Sequence, residues 1–353
     1  MRVWVVLMVL LAGCQDYLPQ KDVTATQTCA LLAGDSWSMF DAYYGSLERA
    51  LQEVDATCVV AYSLRVGHLG DKALTLPLTM PGTRAEEWNS ALGFLSLVRL
   101  LQENPDTNLL VLYLGGNDFV KYYHGGGRDL AAYNCDSSPG NLPNGNANND
   151  ANRASYIAGE AENLIYALLA YGKTQGRDLR IALNGYTRLN FVQGEGVRPS
   201  SFNGGLFDKQ YGVSRGLWQN MGCPSMADFN SGYLELDQAF ADFAAGTATH
   251  NSGIANYLQT LENRLATVGI TANLSAKLDE VNLTSQFYYL RHFNRLAEGS
   301  TGATRPQNMW HQPDLSGSPA EYFYIDSIHL APPAQDKLAK ALVADLQTKG
   351  WVK

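Results

Sequence analysis

The sequence predicts a doubly wound α/β fold, a parallel sheet covered on both faces by helices in three layers, and three observations carry that expectation. First, Cys29 to Ala33, Cys58 to Leu64, Leu109 to Leu114 and Leu179 to Leu183 are short apolar runs set between polar segments. Such runs suit strands buried on both faces rather than strands with one face in water. Second, the intervening segments carry apolar residues at helical spacing, the alternation that builds a parallel sheet by crossover helices. Third, 353 residues with 46% hydrophobic side chains suffice for one large core, with length left over for insertions.

Taken in order, the chain opens with a targeting element. Arg2 supplies a positive end, Val3 to Leu11 a short apolar stretch, and Leu11-Ala12-Gly13-Cys14 a processing site. Such a stretch falls short of the ~20 apolar residues of a transmembrane helix. The tetrapeptide resembles a bacterial lipobox, which implies a signal peptide over 1–13, lipidation of Cys14, and a tether over 14–27 that leads into a single domain from 28 to 353. By the same resemblance, Gln15 after the cysteine favours the outer membrane. The protein is therefore expected to be exported and lipid-anchored there, facing periplasm or cell surface, as a monomer.

Between the first two runs, Phe40, Tyr44, Leu47 and Leu51 mark one helix. Glu86 to Gln102 reads as another, with Trp88, Leu92, Leu95 and Val98 on its apolar face. A final helix carries Leu338, Leu342 and Leu346 in one stripe, opened by Pro332-Pro333 and stopped near Gly350. Two stretches, 122–152 and 192–231, are rich in Gly and Asn and read as excursions from the sheet. The Asn-rich run in the first lacks the acidic spacing of a calcium loop.

Apart from Cys14, four cysteines remain, an even number in a chain bound for an oxidising compartment. Cys29 and Cys58 each open a core strand, and if those strands are parallel neighbours their starts lie side by side. That favours the pairs Cys29 with Cys58 and Cys135 with Cys223, the second stapling the two excursions together. Four buried free thiols are the alternative. No Cys/His spacing of a zinc site is present. The formal charge of -8, from 34 acidic against 26 basic residues without any basic run, argues against a phosphate-tracking surface and makes nucleic acid a poor partner.

Chemistry concentrates at three places. Gly34-Asp35-Ser36 follows the first run directly, which sets Ser36 at the carboxyl end of a strand, where open α/β sheets place ligands. Gly115-Gly116-Asn117-Asp118 follows the third run, and the Asn117 amide there is a candidate oxyanion donor. Asp326-Ser327-Ile328-His329 precedes the final helix, with Asp and His spaced so that the carboxylate can fix the imidazole while Nε2 faces a nucleophile. Gly212-Val213-Ser214-Arg215-Gly216 matches the nucleophile-elbow pattern, but Leu206 to Tyr211 is no buried strand, and Ser214 is set aside. His68, His124, His250, His292 and His311 show no ligand spacing.

Together these blocks resemble those of the SGNH/GDSL hydrolases over residues 28 to 350: Gly34-Asp35-Ser36, Gly115 to Asp118, and Asp326 with His329. The resemblance implies a flavodoxin-like three-layer fold and a triad of Ser36, His329 and Asp326. It also implies an oxyanion hole made of the Ser36 and glycine N–H groups and the Asn117 amide. Gly82 fits the glycine block best; Gly67 and Gly70 are rivals, since Arg65 to Met80 looks inserted. Trp37 stands where the family has Leu, and Leu330 where Pro is common, differences expected to bear on pocket shape. The implied reaction is carboxylic ester hydrolysis through an acyl-enzyme, with no metal or organic cofactor. Its substrate would be a small-molecule, lipid or glycan ester. An envelope O-acyltransferase, an acetylesterase and a non-catalytic glycan-binding lipoprotein are the alternatives.

Overall fold

The computed structural model describes residues 27–69, 72–124, 140–186, 226–291, 329–330 and 332–353. Its centre is a five-stranded sheet of β1 (Gln27–Gly34), β2 (Cys58–Ala61), β5 (Leu109–Tyr113), β6 (Arg180–Asn184) and β7 (Phe287–Leu290). The order is β2-β1-β5-β6-β7 and every pairing is parallel. Continuous apolarity explains the burial: Leu31, Leu110, Val111, Ile181 and Ala182 are all fully buried. In chain order the sheet reads 2-1-3-4-5, the flavodoxin-like arrangement, whose direction of growth reverses between β1 and β5.

Two other strands, β3 (Ser63–Leu69) and β4 (Lys72–Pro77), form a separate antiparallel hairpin. This corrects the reading of Cys58 to Leu64 as one strand: the sheet strand stops at Ala61, and Leu64 belongs to the hairpin. The expected insertion from Arg65 is this hairpin, and it leaves Val66, Leu74 and Leu76 exposed.

The helices fall into two groups. α1 (Ser36–Tyr44) and α2 (Ser46–Gln52) meet at Gly45, whose φ of 67° ends one helix and starts the next, so the segment expected as one helix is two. α2 packs on the terminal helix α10 (Pro332–Thr348), whose Leu338, Leu342 and Leu346 are buried as the stripe predicts. The second group is α3 (Ala85–Trp88), α4 (Ala91–Glu103), α5 (Gly116–His124), α6 (Asp150–Thr174), α7 (Met226–Ala244) and α8 (Ile254–Ala266), with α6 at its centre. A short α9 (Leu283–Gln286) leads into β7.

The expected apolar face of 86–102 needs one correction. Ser90 caps a new helix through its hydroxyl, which accepts from Gly93 N at 3.1 Å, and the restart turns Leu92 outward to 73% exposure. Trp88, Leu95 and Val98 are buried as expected, and Phe94, Leu97 and Leu101 are buried with them.

Cys29 and Cys58 are joined in a disulfide across the parallel β1 and β2, with Cα atoms 5.3 Å apart. Cys135, Cys223, Cys14 and the leader lie outside the described residues, as does most of the second excursion. No helix among the described residues is long and apolar enough to cross a membrane.

Candidate active site

Open α/β sheets bind ligands outside the carboxyl ends of their strands, in the crevice where the strand order reverses. Here that crevice lies between β1 and β5, and Ser36 and Asn117 stand in the first turns of the two helices that follow those strands. The strands close tightly: Gly34 has φ 138°, and a Cβ there would lie 2.3 Å from the Tyr113 carbonyl oxygen. Only glycine lets the chain turn into α1 at that distance.

Ser36 is the first residue of α1, after Asp35 at the N-cap. Its backbone N–H is thus one of those a helix leaves without an internal partner, and it lies at the positive end of the helix. Ser36 Oγ is 2.6 Å from His329 Nε2, and both residues are more than nine-tenths buried. With the imidazole proton on Nδ1, the serine hydroxyl donates in this contact, the geometry of a nucleophile with its base. Phe40, one helical turn beyond Ser36, lays its ring 4.6 Å from the His329 ring and limits its swing. Two hundred and ninety-three positions of sequence separate the pair; the placement of α10 against α2 brings them together.

Asp35 does more than cap. Its Oδ1 accepts from Trp37 N at 2.9 Å, while Oδ2 accepts the Tyr186 hydroxyl in a close hydrogen bond and the Asn117 amide at 3.4 Å. Full burial pushes its carboxyl up to about 6, partly offset by those bonds and by the nearby His329.

Gly82, at φ 77°, sits on the loop between an isolated bridge pairing Thr79 with Gly34 and the start of α3. Three bonds stitch that loop to the segments that carry Gly34 and Asn117. Met80 N donates to Gly34 O at 2.9 Å, Thr83 Oγ1 donates to Gly34 O at 3.2 Å, and Asn117 Nδ2 donates to Thr83 O at 3.1 Å. Asp118 adds a fourth tie, accepting from Ala85 N at 2.8 Å; its burial raises the carboxyl to about 7. Gly67 instead lies in the β3–β4 hairpin, and Gly70 is outside the described residues.

The structure therefore brings Ser36, His329, Asn117 and the Gly82 loop to one end of the sheet. Asp326 and Ser214 lie outside the described residues, as do His292 and His311. His250 is remote from this group: its ring nitrogens face Ser155 Oγ and Ala239 O, both at 3.2 Å, and its backbone N–H is held by Glu162. Trp37 is 4% exposed and packs edge-on against Tyr186 at 5.1 Å, so its side chain acts in the packing beneath the serine. Phe40, Thr83 and Tyr186 are site residues that the sequence reading passes over. Tyr186 had one signal, its place three residues beyond the fourth apolar run, where a strand's carboxyl end was expected.

Among the described residues, one group of His, Cys, Asp or Glu is close enough to hold a metal, Cys29, Asp55 and Cys58, and its two sulfurs are joined in the disulfide.

No family model matches the chain, and no curated protein matches its sequence. Several solved structures are similar to it at low identity. A Streptococcus pneumonia protein provisionally called a platelet activating factor is 14% identical over 98% of both chains, with a TM-score of 0.38. A carbohydrate acetylesterase from Sinorhizobium meliloti is 12% identical, over 91% of this chain and 99% of its own, with a TM-score of 0.35. A mutant acetyl-xylooligosaccharide esterase from Geobacillus Stearmophilus is also 12% identical, over 93% and 99%, with a TM-score of 0.36.

Proposed function

We propose that this chain is a serine esterase of the SGNH/GDSL type, and the observation that carries the reading is the buried 2.6 Å contact between Ser36 Oγ and His329 Nε2 at the reversal point of a parallel sheet. In the proposed cycle His329 takes the hydroxyl proton as Ser36 Oγ bonds to an ester carbonyl carbon. The resulting oxyanion is met by the Ser36 and Gly82 N–H groups and by the Asn117 amide. Asp326, three residues before the base, is assigned the role of holding its Nδ1 proton. Collapse of the intermediate breaks the bond to the alcohol, which leaves with the proton from His329. Water then attacks the acyl-enzyme, gives its proton to His329, and the acid departs as Ser36 regains its hydrogen.

The cellular setting belongs to the same proposal. The disulfide between Cys29 and Cys58 favours an oxidising compartment, in keeping with export and a lipid anchor at Cys14. Palmitate labelling of cells expressing wild type and Cys14→Ser tests the anchor, and label retained by Cys14→Ser refutes it.

Fluorophosphonate labelling with peptide mapping tests the chemistry. Label is expected on Ser36 and absent from Ser36→Ala. Label that survives in Ser36→Ala and disappears in Ser214→Ala assigns the nucleophile to the wrong serine, and an unlabelled wild type favours a binding role.

A further inference from the structure

For Asn117 to hold an oxyanion, one of its two amide protons must be free to turn toward it. In the structure Asn117 Nδ2 lies 3.1 Å from Thr83 O and 3.4 Å from Asp35 Oδ2. The second bond is long and correspondingly weak. The same carboxylate oxygen is also the close acceptor of the Tyr186 hydroxyl, which competes with the amide for it.

The phenol is not there by accident of a flexible side chain. Tyr186 is 5% exposed and lies against Trp37 with ring centroids 5.1 Å apart. Gly116 is required for this approach, since a Cβ at that position would lie 2.6 Å from the Tyr186 ring. A tyrosine beyond β6 thus reaches across the end of β5 to a carboxylate at the end of β1.

We propose that Tyr186 is a positioning residue for the oxyanion hole: by occupying Asp35 Oδ2 it leaves one Asn117 amide proton available to the reacting oxygen, while the Thr83 carbonyl fixes the amide plane. This rests on the serine-hydrolase reading of Ser36. Without the phenol, a buried carboxylate oxygen that has lost its main donor draws the Asn117 amide onto itself, and the donor is withdrawn where charge develops in the transition state.

The test is steady-state hydrolysis of p-nitrophenyl acetate by the full-length chain, comparing wild type, Tyr186→Phe, Asn117→Ala and the double variant. Phenylalanine keeps the ring and its packing on Trp37, and melting temperatures check that the fold is retained. Tyr186→Phe is expected to lower kcat roughly 10-fold with KM changed less than about twofold, and to have almost no further effect in the Asn117→Ala background, because coupled residues are not additive. An undiminished kcat in Tyr186→Phe overturns the proposal, as does a loss that recurs in full when Asn117 is already alanine. Ser36→Ala separates the two levels: full activity in that variant overturns the hydrolase reading itself, whereas a dead Ser36→Ala with additive Tyr186 and Asn117 effects overturns only the role of Tyr186.

Discussion

The two ends of the central sheet are built differently. At the amino end, several strand and loop carbonyls are satisfied by neutral or cationic side chains. Thr107 Oγ1 donates to Thr28 O at 2.8 Å, Gln52 Nε2 to Cys58 O at 2.9 Å, and the Arg177 guanidinium donates to the carbonyls of Leu101, Asn104 and Thr107. A disulfide ties β1 to β2 there. At the carboxyl end the carboxylates of Asp35, Asp41 and Asp118 are buried beside Ser36, Thr83 and His329. Burial raises Asp35 and Asp41 to about 6 and Asp118 to about 7. One end closes the loops, and the other accepts the cost of buried acids to hold Ser36, His329 and Asn117 in place. The comparison teaches that stability and chemistry are separable in this molecule along the strand direction.

That separation can be broken experimentally, beginning with the largest effect. Ser36→Ala should lower kcat on p-nitrophenyl acetate by roughly 10⁵-fold or more with little change in unfolding midpoint. A fall in stability matching the fall in activity would show that the carboxyl end is structural after all. Asn117→Ala should cost roughly 10²- to 10³-fold in kcat, measured with the same ester.

At the other end, replacing Cys29 and Cys58 together by serine opens a loop spanning 29 positions. It should lower unfolding free energy in urea by about 3 to 4 kcal/mol and leave kcat unchanged at a temperature where the variant is folded. A large loss of kcat in that folded variant would couple the two ends.

The smallest effect is a pH dependence. The Asp118 carboxyl rises in the folded protein from 3.8 to about 7. A raised acid contributes stability fully present below its unfolded value and lost as pH rises through its folded value, so this group favours the fold at pH 5 over pH 8. Asp118→Asn, which keeps an acceptor for Ala85 N, should flatten that difference by about 2 to 3 kcal/mol. Equal pH slopes in wild type and variant would show that Asp118 is ionised throughout.

How much was legible beforehand varies by element. The four apolar runs located β1, β2, β5 and β6, because strands buried on both faces must be continuously apolar. β7 went unread: Phe287 to Leu290 is four residues long, and so short a run cannot be told from a helical segment by pattern. Leu92 was misplaced because a helical period was carried through Ser90, where a cap restarts the phase.

By itself, the sequence determined the class of sheet, the Cys29–Cys58 neighbourhood, and the positions of Ser36 and Asn117 at strand ends, since each depends on local composition and on the few residues that follow a strand. Tertiary structure alone decided the 2-1-3-4-5 order, which puts those two residues on either side of one crevice. It also decided the approach of His329 to Ser36 and the reach of Tyr186 to Asp35. These are contacts between residues 293 and 151 positions apart. Their physical cause is the packing of helices on a shared core, which no window of sequence contains.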